Sequence, residues 1–487
     1  MRAIEERHMF YDLREFIDKS RELGECRTID GAHWDVEIGR IAELALSAPD
    51  SPLIVFDKVQ GYPKGYRVAA NPFSSSRRVA LGLGLPLELK GLALIRAWKD
   101  KLSAVKPIPP VYVKTGPVRE NVLVGDKVDI LKFPTPKWHE HDGGRYIGTG
   151  CMVIAKDPDT GWINLGTYRS QIADRNTVTM HIVPGHHGAI IAKKYWDRGE
   201  SCPIAMVCGQ EPQVWIAAAS AIPIGVSEYD WAGGLRNRPV EVIRGETVDL
   251  PVPATAEIVL EGEMPPPQVE SADEGPFGEW EGYYAGSRSP HPVVRIKAML
   301  HRNDPIQFGV PVMVGTYDDN VVQTLDLSAQ LWAELERQIA GVNGVSFAYQ
   351  ARRRTMIIVS LKQMYPGHVK QAALIAAGVY TGATHVGRFI IVVDDDIDPT
   401  NMTEVLWALG TRCDPSTQID FLTNRLSLAS DSRLDPKQRK VGDFTCSTAI
   451  IDACRPWSWR DQFPRTTKTL PEVMEQVRQK WGHVLFG

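Results

Sequence analysis

The chain has 487 residues, of which 43% are apolar and 23% charged, and its formal net charge is −4. This length allows two or three domains, and the composition excludes a disordered chain or a strongly basic surface for nucleic acid or an anionic membrane. Residues 1–7 lack the apolar run of a signal peptide, and the longest apolar stretch, residues 214–226, is too short to span a bilayer. We therefore expect a cytoplasmic protein that binds neither nucleic acid nor membrane.

Residues 1–115 predict a small domain of mixed helix and strand. Apolar residues between 34 and 45 recur at helical spacing, and the apolar run at 53–56 has the length of a buried strand. A proline-rich passage at 106–111 resists regular structure. We therefore place a domain boundary near residue 115.

Between residues 116 and 305 the hydrophobic period changes to two. Val178, Met180 and Ile182 alternate with polar neighbours, and the same alternation recurs at 256–260 and 294–300. Several half-buried strands separated by turns predict a β-barrel or sandwich, interrupted by a helix near residues 190–196.

Strands and helices alternate from residue 306 to 460, and a final helix is predicted within 461–487. Apolar strands at 356–359 and 389–393 each precede a helical pattern. This order predicts an α/β domain with a parallel sheet. The chain as a whole is thus predicted to be a multidomain protein of the α+β and α/β classes.

The segment 273–279, Asp-Glu-Gly-Pro-Phe-Gly-Glu, places Glu274 and Glu279 five residues apart across a turn that cannot be helical. Such a loop can hold two carboxylates in different environments, so that one of them stays protonated near neutral pH. A solvated acidic turn explains the same composition equally well. The surrounding chain decides between these two interpretations.

Polar residues in three other segments could gather around a metal that bridges to a phosphate. Asn164 and Arg169 lie near a strand end, and a bend at the glycine between them would turn both side chains into one cavity. His186 and His187 precede a helix, where backbone N–H groups favour an anion. With Glu228 they offer oxygen and imidazole ligands that suit Mn²⁺ or Mg²⁺. The alternatives are a strand-end asparagine, a surface arginine, polar packing histidines and a helix cap.

An aspartate run at 394–398 follows a predicted strand and precedes a helix that begins near Met402. The run could bind a cation in the crevice of the α/β domain, but we favour a role in capping that helix. The chain contains no Walker A motif, no glycine-rich dinucleotide fingerprint and no serine nucleophile elbow. Their absence argues against several common classes of enzyme.

Taken together, these segments resemble the UbiD family of prenylated-flavin-dependent decarboxylases, and they occur in the order found in that family. The resemblance extends from about residue 50 to 460 and is most specific at 252–279 and 393–412. The segments that carry it are Asn164-x-x-x-x-Arg169, the stretch around His187, Val226-Ser-Glu228, Val252-Pro-Ala-Thr-Ala-Glu257-Ile, Glu274-Gly-Pro-Phe-Gly-Glu279 and residues 393–412.

The resemblance implies a prenylated FMN in a central split β-barrel of flavin-reductase type, flanked by N-terminal and C-terminal α/β domains. A divalent metal, Mn²⁺ or Mg²⁺, would bridge the cofactor phosphate, with K⁺ nearby. Asn164, His187 and Glu228 match the metal ligands, although the adjacent His186 leaves the choice of histidine open by one position. Some family members have a lysine where this chain has Arg388, which puts its contact with the phosphate in doubt. The cofactor contacts implied in this way are Asn164, Tyr168, Arg169, His186, His187, Pro223, Glu228 and Arg388.

Arg169, Glu274 and Glu279 match the catalytic set of the family. The reaction implied by the resemblance is the reversible non-oxidative decarboxylation of an aromatic, heteroaromatic or α,β-unsaturated carboxylic acid through a covalent adduct with the prenylated FMN. Arg169 and Glu274 would orient the carboxylate, and Glu279 would return a proton to the carbon that loses CO₂. A proton donor near neutral pH needs a pocket that excludes water. We also expect His186 to hydrogen-bond a ring heteroatom or hydroxyl of the substrate.

The resemblance further implies a flavin prenyltransferase that supplies the cofactor, and a homodimer or homohexamer built through the C-terminal domain. Operation in reverse as a carboxylase is a variant of the same prediction. Two other classes of protein are alternatives. A metal-dependent hydrolase would use His186, His187 and the aspartate run without a chromophore, and a non-catalytic flavin-binding subunit would keep the barrel without the chemistry.

Overall fold

The computed structural model describes residues 10–48, 51–284, 286–310, 312–313, 318–351, 354–379, 387–427 and 430–486. The outer ends of the predicted first and last segments, residues 1–9 and 487, lie outside these ranges. None of the helices within the ranges combines the length and the apolar composition that a membrane span requires.

Short strands and amphipathic helices alternate in the N-terminal part of the chain, as the sequence predicted. β1 and β2, defined below, are parallel and β3 is antiparallel to β2. In chain order the elements are α1 (Leu13–Glu22), β1 (Cys26–Asp30), α2 (Glu37–Leu46), β2 (Leu53–Asp57), β3 (Arg67–Ala70), α3 (Ser76–Leu83) and α4 (Gly91–Ala104).

Local sequence signals explain where these helices begin and end. The Asp12 side chain accepts a hydrogen bond from the Glu15 N–H at the start of α1, and Ser75 does the same for Arg78 at the start of α3. α3 ends at Gly84, whose φ of +63° is a left-handed conformation that favours glycine.

The middle part of the chain is dominated by strands. Its elements are β4 (Val111–Tyr112), β5 (Asn121–Val124), β6 (Tyr146–Gly148), β7 (Met152–Lys156), β8 (Ile163–Gly166), β9 (Ser170–Gln171), β10 (Thr177–Thr179), α5 (His187–Trp196), β11 (Cys202–Val207), α6 (Pro212–Ala219), α7 (Glu228–Arg236), β12 (Glu241–Arg244), β13 (Pro251–Pro253), β14 (Ile258–Met264), β15 (Ser271–Glu274), β16 (Ser289–His301) and β17 (Ile306–Phe308).

The main sheet of this part runs in the order β10-β16-β14-β11-β7-β8, with β15 and β5 also paired to the long strand β16. Its pairings are antiparallel, as the period of two predicted. In the part of the chain that the structure describes, the end strands β10 and β8 are not hydrogen-bonded to each other. The sheet is therefore open, and no closed barrel is formed.

Both faces of the main sheet are buried. Val153 and Met206 belong to one apolar cluster, whereas their neighbours Ile154 and Ala205 belong to another on the opposite face. This alternation follows from the period of two in a strand. A sheet covered on both sides gives fixed positions to the side chains at its strand ends.

The C-terminal part contains a second open sheet in the order β18-β19-β20-β22-β21, whose strands are defined below. β19, β20 and β22 are parallel, as predicted, and the two edge strands run antiparallel to their neighbours. The elements are α8 (Asp318–Gln338), β18 (Val342–Phe347), β19 (Met356–Leu361), α9 (His368–Gly378), β20 (Phe389–Asp394), α10 (Met402–Arg412), β21 (Ile419–Leu426), α11 (Pro436–Lys440), β22 (Thr445–Ala453) and α12 (Pro471–Phe486).

The strand β17 returns to the N-terminal sheet, where Ile306 pairs with Arg67 of β3 in parallel register. The sequence pattern assigns residues from 306 onward to the C-terminal domain. A buried strand of three residues has too short a pattern to indicate which sheet it joins. Residues 306–308 therefore pair with the first sheet.

The N-terminal and C-terminal parts share one apolar core. Phe16 and Trp98 lie in the same cluster as Trp332 of α8 and Val359 of β19. The Trp98 indole N–H donates to the buried Asp326 carboxylate at 3.0 Å. The helix α8 thus packs between the N-terminal and C-terminal parts of the chain, and one of its faces lines the cavity described below.

The aspartate run serves as a set of ion-pair partners. Asp394 and Asp396 both accept hydrogen bonds from Arg412 at 2.8 Å, and Arg455 also pairs with Asp396. The helix α10 is capped by Asn401, whose side chain accepts from the N–H groups of the following residues. The run does not itself cap this helix, because Asp394 and Asp396 face two arginines and Asp398 accepts from the Thr400 N–H before the helix begins.

Candidate active site

A cavity of about 730 Å³ lies where the middle part of the chain faces α8 and the C-terminal part. Its size is within the range of about 300–1,000 Å³ that is typical of small-molecule and cofactor sites. It is lined by residues from 164–169, 181–187, 215–222, 277–280, 287–291 and 323–327, with Thr149, Glu228, Gly286, Val310, Val312, Arg354 and Ser430.

Asn164 and Arg169 both line this cavity. This placement agrees with the prediction that a bend at Gly166 would turn both side chains into one cavity. β8 ends at Gly166 and the chain then turns into β9. A Cβ atom on Gly166 would lie 2.6–2.7 Å from the Tyr168 ring and hydroxyl, so a larger residue would displace that ring. The absence of a side chain at this position lets Tyr168 fold back beneath the bend.

Arg169 bridges the two glutamates of the acidic turn. Its Nε donates to Glu274 Oε1 at 2.9 Å, its Nη2 to Glu274 Oε2 at 3.0 Å, and its Nη1 to Glu279. Glu279 lines the cavity, whereas Glu274 is 1% exposed and lies behind the arginine. The segment is therefore a shaped acidic site, and the alternative of a solvated turn is wrong.

Burial alone would disfavour the charge of Arg169, but the Glu279 and Glu274 carboxylates outweigh that cost and raise the pKa of Arg169 above its usual range. The guanidinium also lies 5.1 Å from the centre of the Phe277 ring. A cation held over an aromatic face and between two carboxylates has a fixed orientation. Arg169 is thus a permanent positive charge at the cavity wall.

The turn is held in place by hydrogen bonds from residues that our sequence analysis did not select. Tyr146 donates through its hydroxyl to Glu274 Oε1 at 2.9 Å, and the Gly275 N–H donates to Gln171 Oε1 at 2.9 Å. Gly275 has a φ of +89°, a conformation open to glycine and strained for other residues. Glu274 is consequently saturated with donors before any ligand is present.

His181 and His291 complete the surroundings of Arg169 and Glu274. His181 Nδ1 is 3.2 Å from Arg169 Nη2, and His291 Nε2 is 3.4 Å from Glu274 Oε2. Burial lowers the pKa of His181 to about 3, helped by the adjacent positive charge of Arg169, and burial also lowers the pKa of His291. Both imidazoles are therefore neutral near neutral pH.

The three predicted metal ligands line the same cavity, and two of them are in direct contact. Asn164 Nδ2 donates to Glu228 Oε1 at 2.8 Å, and the Leu165 N–H donates to Glu228 Oε2 at 2.7 Å. Asn164 Oδ1 is buried and has no hydrogen-bond partner among the described residues. Such an orphaned oxygen is costly unless a ligand satisfies it.

Glu228 is buried beside neutral donors. Burial raises the pKa of Glu228 to about 7, and the hydrogen bonds from Leu165 and Asn164 only partly offset this effect. His187 is in the first turn of α5, where burial lowers the pKa of its imidazole. An amide oxygen, a neutral imidazole and a carboxylate without a cation form a donor set that fits Mn²⁺ or Mg²⁺.

Of the other predicted cofactor contacts, two line the cavity and two do not. Tyr168 and His186 line the cavity, and the Tyr168 hydroxyl accepts the Gly188 N–H at 3.0 Å. Pro223 follows the lining segment and is exposed, and its carbonyl accepts the Val226 N–H. Arg388 is outside the lining and forms an ion pair with Asp431, so no contact with the cavity supports it as a cofactor ligand.

Glu281 is a further buried acid that the sequence pattern did not distinguish from the rest of the turn. Burial raises the pKa of Glu281 to about 8, with Glu279 and Asp431 adding to the effect. The Ser430 hydroxyl donates to Glu281 Oε1 at 3.4 Å and accepts from the Trp280 indole N–H at 3.2 Å. The loop that carries Glu279 is thus linked to the C-terminal part of the chain.

Comparison with known proteins gives consistent results along the whole chain. Residues 17–98, 111–315 and 322–453 match the N-terminal, Rift-related and C-terminal domains of 3-octaprenyl-4-hydroxybenzoate carboxy-lyase, which define the UbiD family. The pyrrole-2-carboxylic acid decarboxylase of Pseudomonas aeruginosa is 34% identical, with 98% of each chain covered.

Solved structures of the same family superpose closely on this chain. The vanillic acid decarboxylase of Sedimentibacter hydroxybenzoicus has a TM-score of 0.84 at 28% identity, covering 98% of this chain and 100% of the other. An evolved dimeric form of the UbiD-class enzyme HmfF from Pelotomaculum thermopropionicum, in complex with prFMN, has a TM-score of 0.80 at 26% identity, covering 96% and 98%. These matches confirm the resemblance and the mixed α/β multidomain fold, and the chain belongs to the UbiD family of carboxy-lyases.

Proposed function

We propose that this protein catalyses the reversible non-oxidative decarboxylation of an aromatic, heteroaromatic or α,β-unsaturated carboxylic acid with prenylated FMN. The observation that carries this proposal is the bridge from Arg169 to Glu274 and Glu279 at the wall of a cavity that also holds Asn164 and Glu228. Decarboxylase relatives and a family structure with prFMN support the reaction class and the cofactor.

The residues of the cavity would fit a flavin together with a divalent metal. Asn164, His187 and Glu228 would hold the metal, since the orphaned amide oxygen and the carboxylate without a cation lack one partner. Tyr168 and His186 would contact the cofactor from the same side of the cavity. When bound, the prenylated flavin would supply the electron sink for loss of CO₂. The nearby K⁺ stays a prediction, and so do the cofactor contacts of Arg388 and Pro223.

The open main sheet and its flanking strands are compatible with the split β-barrel of flavin-reductase type, and we propose that they serve as the cofactor domain. We keep the division into 1–115, 116–305, 306–460 and 461–487, with residues 306–308 contributing to the first sheet. Supply of the cofactor by a flavin prenyltransferase, and assembly as a homodimer or homohexamer, belong to the same proposal.

Arg169 would orient the substrate carboxylate. A guanidinium has five N–H donors, and four of them are used by Glu274, Glu279 and His181. One N–H on Nη1 is left for a ligand. Glu274, fixed by the Tyr146 hydroxyl, holds the guanidinium so that this N–H points in a constant direction.

Glu279 would return the proton. A substrate carboxylate that binds Arg169 would lie beside Glu279, because Arg169 Nη1 already donates to the Glu279 carboxylate. After CO₂ leaves, that proton would move from the Glu279 carboxyl to the carbon that carried the carboxylate. Phe277 and Trp280, both 8% exposed, would keep water out of this space.

The hydrolase alternative is weakened at the aspartate run, because Arg412 and Arg455 already pair with Asp394 and Asp396. The non-catalytic alternative does not account for an intact set of Arg169, Glu274 and Glu279. Neither is supported by an observation of its own.

The experiment is to produce the protein with and without a flavin prenyltransferase, identify the released cofactor by absorbance and mass, and measure CO₂ release from a panel of aromatic and α,β-unsaturated acids. We expect prenylated FMN and CO₂ release only with the prenyltransferase. Colourless protein under both conditions, or hydrolysis with metal alone, would contradict the proposal. Addition of bicarbonate to the products then tests the reverse reaction.

A further inference from the structure

His181 is fixed to the catalytic arginine at two points. Its backbone N–H donates to the Arg169 carbonyl at 3.0 Å, and its ring Nδ1 is 3.2 Å from Arg169 Nη2. The ring also lines the cavity, next to the place where Arg169 and Glu279 are accessible. A ligand held by Arg169 would therefore lie beside this imidazole.

The contact with Arg169 determines which ring nitrogen carries the proton. A guanidinium can donate hydrogen bonds but cannot accept them, so His181 Nδ1 must be the acceptor. A neutral imidazole has a single N–H, and here it is on Nε2. Burial beside a permanent positive charge keeps the ring neutral near neutral pH, since the pKa of His181 is lowered to about 3.

The neighbouring histidine does not use this N–H. His291 lies 4.9 Å away between ring centres and its Nε2 faces Glu274 Oε2 and the Ser289 hydroxyl. Among the residues that the structure describes, no protein atom accepts a hydrogen bond from His181 Nε2. This cavity-lining residue thus carries an N–H donor that has no protein acceptor among the described residues.

A metal ion is a weaker explanation for this cluster. One ligand atom from each of His181, Glu274 and His291 lies within 4.8 Å of the others, a set of residue types that zinc accepts. However, Arg169 already donates to His181 and Glu274, so a cation would have to displace a guanidinium that is held by two carboxylates. The same contacts instead leave one neutral donor on a residue that lines the cavity.

We propose that His181 Nε2–H donates a hydrogen bond to the substrate, and that it selects acids with a hydrogen-bond acceptor next to the carbon that bears the carboxylate. This rests on the proposed function, in which Arg169 holds the carboxylate. Leaving a desolvated donor unpaired is unfavourable, so an acid that supplies the acceptor is favoured about tenfold or more. An acid with an N–H at that ring position is disfavoured, because two donors then face each other.

This assignment replaces our sequence-based expectation for His186. The His186 ring centre lies 6.3 Å from the Tyr168 ring, and the adjacent His187 is a proposed metal ligand. His181 is adjacent to the arginine that would hold the carboxylate, and is therefore better placed to select among ring substituents.

The test compares three acids of nearly equal size on protein loaded with FMN, which measures binding separately from turnover. Furan-2-carboxylate has an acceptor next to the carboxylate-bearing carbon, furan-3-carboxylate has none there, and pyrrole-2-carboxylate has a donor. For the wild type we expect dissociation constants about tenfold lower for furan-2-carboxylate than for the other two. Equal constants for the three acids, or no binding of any, would overturn the inference.

Two variants of His181 separate substrate binding from the support of Arg169. The amide of His181→Gln reaches the position of Nε2 and should keep the preference for furan-2-carboxylate. The amide of His181→Asn reaches only the position of Nδ1, so it can accept from Arg169 but should lose the preference. His483→Gln, at an exposed histidine of α12, is the matched control. An Asn variant that keeps the preference, or a Gln variant that loses it, would show that His181 only positions Arg169.

Turnover with the prenylated cofactor distinguishes this inference from the proposed function. If the binding preference follows His181 but the loaded enzyme releases no CO₂ from any acid of a wider panel, the decarboxylase proposal fails and the donor assignment stands. If CO₂ is released with no dependence on the neighbouring ring atom in the wild type or in the His181 variants, the donor assignment fails and the decarboxylase proposal stands.

Discussion

Two groups of buried carboxylates in the middle part of the chain differ in their balance of charge. Glu257, at the start of β14, accepts from Arg14 at 2.8 and 2.9 Å and lies 3.3 Å from Arg302, which also pairs with Asp12. In the cavity, Glu274 and Glu279 share the single guanidinium of Arg169, and Glu228 has no basic partner among the described residues.

The difference separates a structural cluster from a binding site. Around Glu257 two arginines meet two carboxylates and the Ile306 N–H, so the charges of the group balance and the group ties α1 to β14 and β17. The cavity has more carboxylates than cations and an orphaned amide oxygen. A surplus of buried negative charge is stabilised when a metal ion or a proton binds to it. We expect variants of the two groups to fail in different ways.

The largest expected effect is on catalysis. Glu279→Gln keeps the shape of the side chain but removes the proton that Glu279 would donate, so CO₂ release should fall about a thousandfold, in the range typical of a lost general acid. The thermal midpoint should change little, because Arg169 keeps its contacts with Glu274. Steady-state rates and a thermal melt measure both. A variant within threefold of the wild-type rate would remove Glu279 from the mechanism.

The matching change in the structural cluster should affect stability. Glu257→Ala leaves Arg302, whose side chain is 12% exposed, facing Asp12 alone and removes both hydrogen bonds to Arg14. Breaking a buried ion pair costs about 3 kcal/mol or more. We expect a lower midpoint in urea and an unchanged turnover per folded molecule. Loss of turnover at unchanged stability would contradict the contrast between the two groups.

Glu228 provides a prediction on pH. Its pKa of about 7 in the folded protein is above its ordinary value of 4.5, so between these values the folded protein keeps a proton that the unfolded chain releases. The metal-free protein should lose up to about 3 kcal/mol of stability from this group as pH rises from 4.5 through 7.

Glu228→Gln should not show this loss. The wild type should therefore become less stable relative to the variant as pH rises over the same range. Urea titrations at several pH values measure it. Mn²⁺ should bind the wild type more tightly as pH rises to about 7 and then level off, because the ligand must be ionised. A difference that does not vary with pH would show that Glu228 is charged throughout.

The smallest expected effect concerns the aspartate run. Asp396→Asn weakens a partly exposed pair with Arg412 and Arg455, which should cost about 1 kcal/mol or less. The metal content of the purified protein should not change, since the proposed ligands are elsewhere. Metal analysis of this variant beside Glu228→Gln checks the point. A lower metal content in Asp396→Asn would return the run to the list of cation sites.

Hydrophobic period predicted most of the elements that carry the site. The strands at 356–359, 389–393 and 294–300 and the helices around 190 and 402 appear where the pattern placed them. Asn401 rather than the aspartate run caps α10, and Glu404 accepts from the Asp398 N–H. Local patterns of this kind depend on a few neighbouring residues, and elements that follow them can therefore be predicted from the sequence.

The contacts around Arg169 were not predictable in the same way. His181 and His291 meet because β10 pairs with β16, more than one hundred residues later in the chain, and this register leaves no local signal. Tyr146 reaches Glu274 across a similar distance in sequence. The motif match selected Arg169, Glu274 and Glu279, while the residues that support them follow from strand pairing alone.

The most direct test of the central claim is decarboxylation of an accepted acid in D₂O by the enzyme loaded with prenylated flavin, with the product examined by NMR. The proposal predicts one deuterium at the carbon that carried the carboxylate, and almost no product from Glu279→Gln under the same conditions. Release of CO₂ from Glu279→Gln at the wild-type rate with full deuterium incorporation would contradict it, because the proton would then come from another source.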